Sequence, residues 1–266
     1  MIVYLKGIAA TGPGFRNWDT LSSHFSSGAA LDPDFIPSPH GTMLSGPERR
    51  RASTTVKLAV DVAHGALRQS GMKAGDLAVV FASSNGDTNT IHHICDALAT
   101  PERVVSPMRF HNSVHNAPVG YWSIAAGSMQ PSSSLCALNN TFAAGLVEAA
   151  TQCLAEDVPV LLAVFDTPFP EPLYQLTPGR LPFGVAMVLD TNPNAGLAAM
   201  TIAIDRDVQL TTTQMDDPLL ETLRCDSSAS RSLPLLAALA VPAAQQVVLD
   251  YADGLRIKVL VNHPLS

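Results

Sequence analysis

The chain of 266 residues carries a formal charge of −7 and a sequence pI near 5.5, and 15% of its residues are charged against 47% hydrophobic. That balance argues against binding a phosphate backbone, which needs clustered Lys and Arg. Four widely spaced cysteines, Cys95, Cys136, Cys153 and Cys225, form no C-x-x-C pair, so neither a zinc ribbon nor a disulfide framework is indicated and a reducing compartment fits.

Met1 to Ala10 reads as a strand before the Gly12-Pro13-Gly14 turn, with Asn17 or Asp19 capping a helix to about Phe25. Lys6 interrupts this segment too early for a signal peptide, and no stretch reaches about 18 uninterrupted apolar residues, so the expectation is a cytoplasmic protein with no membrane span. Residues 27 to 47 are rich in Gly and Pro and read as a surface loop. From Pro47 the spacing predicts one helix to about Ser70, with Ala52, Val56, Ala59, Val60, Ala63 and Leu67 on its apolar face. Arg49, Arg50 and Arg51 near its start read as a solvated face or a docking point for an acidic group.

Gly75 to Ser83 is a nearly continuous apolar run, the pattern of a strand buried on both faces. Asn85 to Thr88 then caps a helix through Ala99, whose adjacent His92 and His93 lie about 100° apart and cannot readily share one ion. Further strands are expected at Val158 to Asp166, Leu181 to Asp190, Leu197 to Ile204, Gln246 to Leu249 and Leu255 to Val261, a loop at Pro168 to Gly179, and a helix at Ser230 to Leu239.

The chain is organised around Ser106 to Glu148, where two histidines, several asparagines and Cys136 precede an evenly apolar helix, Thr141 to Leu154, expected to be buried. A cysteine just before a helix N-terminus is a candidate nucleophile, but base rates of burial favour a residue that fills core space. His111 and His115 would share one face of a helix, but no third ligand and no H-E-x-x-H accompany them, so no metal is expected.

The order Ser106-Pro107, Val114, Asn116, Gly120, Gly127, Pro131, a strand Ser132 to Ala137, then Phe142-Ala143-Ala144-Gly145 resembles the β-ketoacyl synthases of the thiolase fold. Phe110-His111-Asn112-Ser113-Val114-His115-Asn116, Gly120-Tyr121-Trp122-Ser123-Ile124-Ala125 and Thr141-Phe142-Ala143-Ala144-Gly145-Leu146 resemble more closely the short chain-length-factor-like partners of aryl polyene biosynthesis. The resemblance implies an α/β, thiolase-like layered αβα fold, with a ketoacyl synthase N-terminal-like domain at 1 to 190 and a reduced C-terminal remnant at 191 to 266 packed on it. Counting along the family spacing puts the nucleophile position at Ala137 from one anchor and Asn139 from the other, neither of which is Cys136; a one-residue displacement in a strand turns a side chain to the opposite face.

The family's two C-terminal histidine motifs do not occur, His263 being the only histidine after residue 190. The resemblance therefore implies a subunit without catalytic residues or cofactor of its own. It would pair with a complete β-ketoacyl-ACP synthase, meet an acyl carrier protein transiently and set polyene length, with Met108, Arg109, Phe110, His111, His115, Asn116 and Phe142 at the interface or tunnel. The charged fraction, below the usual ~25%, fits burial against such a partner, and also an alanine-rich chain with an ordinary surface. Two rivals stand beside this reading: an acyl-transferring or condensing enzyme using Cys136 with His111 or His115 as base, and a stand-alone acyl or small-molecule binding module.

Overall fold

The computed structural model describes residues 1–175, 179, 181–207 and 209–264. Its centre is an eight-stranded mixed sheet in the order β3-β2-β4-β5-β1-β6-β8-β7, built from β1 (Ile2–Thr11), β2 (Ala78–Ala82), β3 (Ser132–Leu135), β4 (Val160–Asp166), β5 (Phe183–Asp190), β6 (Ala198–Asp205), β7 (Gln245–Ala252) and β8 (Leu255–Asn262). β3, β2 and β4 are parallel to one another, and every other neighbouring pair is antiparallel.

The central strands are apolar throughout because each feeds two cores. Val79 and Phe81 of β2 and Leu161, Ala163 and Phe165 of β4 face one helical layer, while Ala78, Val80, Ala82, Val160, Leu162 and Val164 face the other. The first layer is α3 (Thr54–Ser70) with α6 (Ala117–Ala126), and the second is α7 (Thr141–Glu156) with α9 (Leu233–Ala240). Strand alternation thus produces the layered αβα arrangement expected from the sequence. Two glycines let α3 lie close against β1: a Cβ on Gly7 would stand 2.2 Å from the Ala66 carbonyl oxygen, and one on Gly65 would stand 2.8 Å from the Ala9 Cβ.

Asn17 caps α1 (Trp18–Ser27), its side chain accepting from the Thr20 N–H. The single helix expected from Pro47 to Ser70 is two, α2 (Gly46–Arg51) and α3. Ala52 is extended, and Ser53 starts a new helix by accepting from the Val56 N–H, just as Ser45 caps α2. The apolar face was read correctly, since Ala52, Val56, Ala59, Val60, Ala63 and Leu67 are all buried. α4 (Thr88–Ala99) is capped by Asp87, and α5 (Pro107–Asn112) follows.

α7 is buried all round only over its first turns. Further on, Glu148, Thr151 and Leu154 are exposed, so the helix is amphipathic rather than wholly internal. After β5 the chain extends the same sheet, and α9 enters the same core as the first half. α8 (Pro218–Asp226), capped by Asp217, was not anticipated, and the expected helix at Ser230 begins as a 3-10 turn that becomes α9 at Leu233. Part of the expected Pro168 to Gly179 loop, 176–178, lies outside the described residues.

Candidate functional site

β3 ends the sheet. Its inner edge pairs with Val79 to Ala82, and among the described residues no strand lies on its outer edge. On the same flank, α5 and α6 border an open groove of about 840 Å³ lined by Met108, Phe110, His111, Val114, Asn116 and Ile124, with Glu48 and Arg51 on the rim. The groove is strongly apolar for a surface: Phe110 is 68% and Ile124 69% exposed. Sequence reasoning did not single out Ile124, although it lies in the Gly120 to Ala125 segment.

The groove wall is rigid because its polar groups satisfy each other. Tyr121 donates its hydroxyl to Asn112 Oδ1 at 3.1 Å, Asn112 Nδ2 donates to the Arg51 carbonyl at 2.9 Å, and the His111 ring meets the Tyr121 ring edge-on at 6.4 Å. Burial pushes the Tyr121 pKa up, so its phenol stays protonated as a donor. This chain of bonds ties α2, and with it the Arg49 to Arg51 run, to the groove.

The histidines do not form a pair. α5 ends at Asn112, so His111 and His115 do not share a helical face; His115 Nε2 lies 3.1 Å from the Ser83 carbonyl, away from His111's ring partner. Among the described residues no group of three His, Cys, Asp or Glu side chains is placed to hold a metal ion. Met108, Phe110, His111 and Asn116 come together in the groove, and Arg109 is exposed beside them on α5. Phe142 is apart: it is 1% exposed and belongs to the core under α7.

Cys136 is neither in the strand nor at the helix. β3 stops at Leu135, and a 3-10 turn at Leu138–Asn140 separates the thiol from α7. The residue expected to fill core space is exposed instead, with Sγ donating to the Ser84 carbonyl at 3.0 Å; the buried cysteine is Cys153. The two counts for the nucleophile position, Ala137 and Asn139, bracket Leu138, which holds φ +51°. Thr141 stabilises this turn, accepting from the Ala137 N–H at 3.0 Å and donating to the Leu138 carbonyl at 2.7 Å.

Behind these residues, at the carboxyl ends of β2 and β4, lies Asp166, a carboxylate that was not recognised in the sequence. It is 4% exposed and accepts from Ser83 Oγ, Ser84 N and Ser84 Oγ on one oxygen and from Ser228 Oγ and Ala229 N on the other, at 2.6 to 3.2 Å. It joins the loop after β2, on which His115 and Cys136 rest, to the segment before α9.

A mixed sheet between two helical layers, with a bare parallel strand at one edge, defines the thiolase-like ketosynthase class of fold. The sequence matches the β-ketoacyl synthase, N-terminal domain family over residues 26–246, and the chain belongs to that family. Among solved structures it is similar to a chain of the ketosynthase ApeO in complex with its chain length factor ApeC from Xenorhabdus doucetiae, with 25% identity, TM-score 0.72, and 98% of this chain and 99% of that one covered. It is also similar in fold to the ishigamide ketosynthase/chain length factor, at 13% identity and TM-score 0.73 over 98% and 99% of the two chains. The bacillaene synthase module 6 ketosynthase from Bacillus subtilis matches at 11% identity and TM-score 0.66, covering 100% of this chain and 71% of that one. No curated protein matches. No helix among the described residues is long and apolar enough to cross a membrane.

Proposed function

We propose that this chain is a chain-length-factor-like subunit that docks a complete β-ketoacyl-ACP synthase through the β3 edge and the α5–α6 groove, and there helps to shape the channel for a growing acyl or polyene chain. The observation that carries the reading is the coincidence on one flank of an unpaired strand edge and an apolar groove. Isolated soluble proteins rarely leave either bare, and together they offer main-chain pairing and apolar burial to one partner. The likeness to a ketosynthase/chain-length-factor complex at nearly equal chain length supports the same partner class.

The polar groups nearby are engaged in structure: Ser83 and Ser84 bond Asp166, and the Cys136 thiol and the His115 ring reach successive main-chain carbonyls. The chain then contributes a wall rather than a nucleophile. Met108, Phe110, His111 and Asn116 border the acyl channel, Arg109 and His115 frame it, and Phe142 supports it from the core. The exposed Arg49, Arg50 and Arg51 lie where an acidic carrier protein would approach. An aryl polyene is the expected product class, and the working compartment is the cytoplasm.

The test is co-expression with a full-length ketosynthase from the same gene neighbourhood, followed by pull-down and mass measurement. The expected result is a one-to-one complex whose elongation activity survives Cys136→Ala and whose assembly is lost with Phe110→Ser combined with Ile124→Ser. An isolated chain that binds no ketosynthase and becomes acylated at the exposed Cys136 would instead establish a thiol enzyme.

A further inference from the structure

A second cavity, of about 510 Å³, lies far from the β3 edge on the other side of the sheet's middle. Its origin is a mismatch between strands. β6 pairs with β1 only at Ile2 to Leu5, whereas β1 runs on to Thr11 beside β5, so among the described residues Ile8 to Thr11 have no strand on one side. The Ile8 N–H, left without a ladder partner, is taken by Gln69 Oε1 of α3 at 2.5 Å. The space beyond is closed by α3, the start of α1 and the loop carrying Phe35, Pro37 and Pro39. β1 stands four strands from β3, about 19 Å at the usual interstrand spacing, so this cavity is separate from the groove described above.

The lining has a definite chemical bias. Trp18, Phe35, Pro37 and Pro39 supply flat apolar walls, and two guanidinium groups, Arg16 and Arg68, enter from different elements. Among the described residues neither arginine is in an ion pair; Arg16 is held over the Phe35 ring at 4.6 Å, an arrangement that fixes the cation without neutralising it. Of the two carboxylates in the lining, Asp61 is turned to the N–H groups of His40, Gly41 and Thr42, which hold its oxygens while it keeps its charge, and Asp19 is the carboxylate without such donors in that set. The cavity also opens at the N-terminal end of the ten-residue α1, whose dipole favours an anion.

We propose that this cavity binds a small organic carboxylate with a flat apolar body, its carboxylate held between Arg16 and Arg68 and its body against Trp18, Phe35 and the prolines. The size suits such a ligand, since small-molecule sites typically measure about 300–1,000 Å³. Two separated cations beside apolar walls select for charge at one end of the ligand, and the strand gap leaves the room that its body occupies.

The probe is 2-naphthoate, with the uncharged 2-naphthamide as its match, each titrated against the full-length chain by ligand-observed NMR and calorimetry. The expected result is saturable binding of naphthoate at least about tenfold tighter than of the amide, the scale of one charge-assisted hydrogen bond. Arg16→Gln and Arg68→Gln, both at exposed positions, should each weaken naphthoate about tenfold, and Asp19→Asn should strengthen it. Ser38→Phe, which fills the mouth from an exposed loop position, should abolish binding with the melting temperature unchanged. Phe110→Ser, in the other groove, should have no effect. The proposal is overturned if naphthoate fails to bind at millimolar concentration, if the amide binds as well, or if Phe110→Ser rather than the arginine variants removes the signal. None of these outcomes depends on whether the chain pairs with a ketosynthase.

Discussion

Replacing Asp166 by Ala should destabilise the protein by about 3–5 kcal/mol, and the figure follows from the groups left behind. Five donors converge on its carboxylate, three of them serine hydroxyls and two the main-chain N–H groups of Ser84 and Ala229. Hydroxyls can rotate toward other acceptors, but the two N–H groups are fixed by the backbone. Each buried donor left unsatisfied costs about 1–3 kcal/mol, so two account for most of the loss. Asp166→Asn keeps one oxygen for the Ser83–Ser84 side and presents NH₂ to the Ala229 N–H, so it should lose about half as much. Urea unfolding of both variants measures this as a shift in midpoint at unchanged slope. Hydrogen exchange adds the spatial test: protection should fall both at residues 83–87 and at 227–230, because one carboxylate holds both. A loss below about 1 kcal/mol for Asp166→Ala, or faster exchange in only one of the two segments, would refute the bridging role.

Thiol titration of the native protein should count three fast-reacting cysteines, Cys95, Cys136 and Cys225. Cys153, fully buried with its pKa pushed up to about 12 by desolvation, should react only on unfolding; four fast thiols would contradict the packing of α7. Glu221 is held down to about pKa 2, chiefly by its hydrogen bonds from Arg224, so its contribution to stability is complete above the ordinary value of 4.5 and is lost as pH falls toward 2. Glu221→Gln should remove that part of the acid sensitivity and expose the charge of Arg224 to an unpaired, mostly buried setting; an unchanged acid-unfolding curve would count against it. Gly7→Ala should fail to give soluble protein, since its methyl would overlap the Ala66 carbonyl, and recovery of a folded variant by circular dichroism would show that α3 can move off β1.

Much of the fold was legible because the central strands announce themselves. Ala78 to Ala82 and Val160 to Phe165 are apolar at every step, and only a strand covered on both faces needs that. The break between α2 and α3 was not legible, since Ser53 sits inside an unbroken apolar periodicity and acts as a cap only once Ala52 is extended. Cys136 was misplaced for a related reason: base rates favour burying a free cysteine, but the strand ends one residue earlier and the turn at Leu138 leaves the thiol outside. The groove was half visible, in Met108, Phe110, His111 and Asn116, because a family-like stretch marked them. Asp166 escaped notice because a lone acid at the end of an apolar run reads as a strand terminus, and its five donors come from residues up to 83 positions away in sequence.

Segments 83–84 and 228–229 meet at that carboxylate, and this bears on how the molecule divides. Residues beyond 190 add three strands to the sheet and contribute Leu233, Leu235 and Leu236 to the same core as Val3 and Leu146. A segment so placed covers α7 from within the same core and sheet. Without it, α7 and one edge of β1 would stand open to water. The sheet then ends in two edge strands, β3 and β7, and the outer edge of β7 is engaged at Val248, whose N–H donates to Thr213 Oγ1 and whose carbonyl accepts from the Thr213 N–H. An edge engaged in this way offers less to main-chain pairing than the outer edge of β3 does.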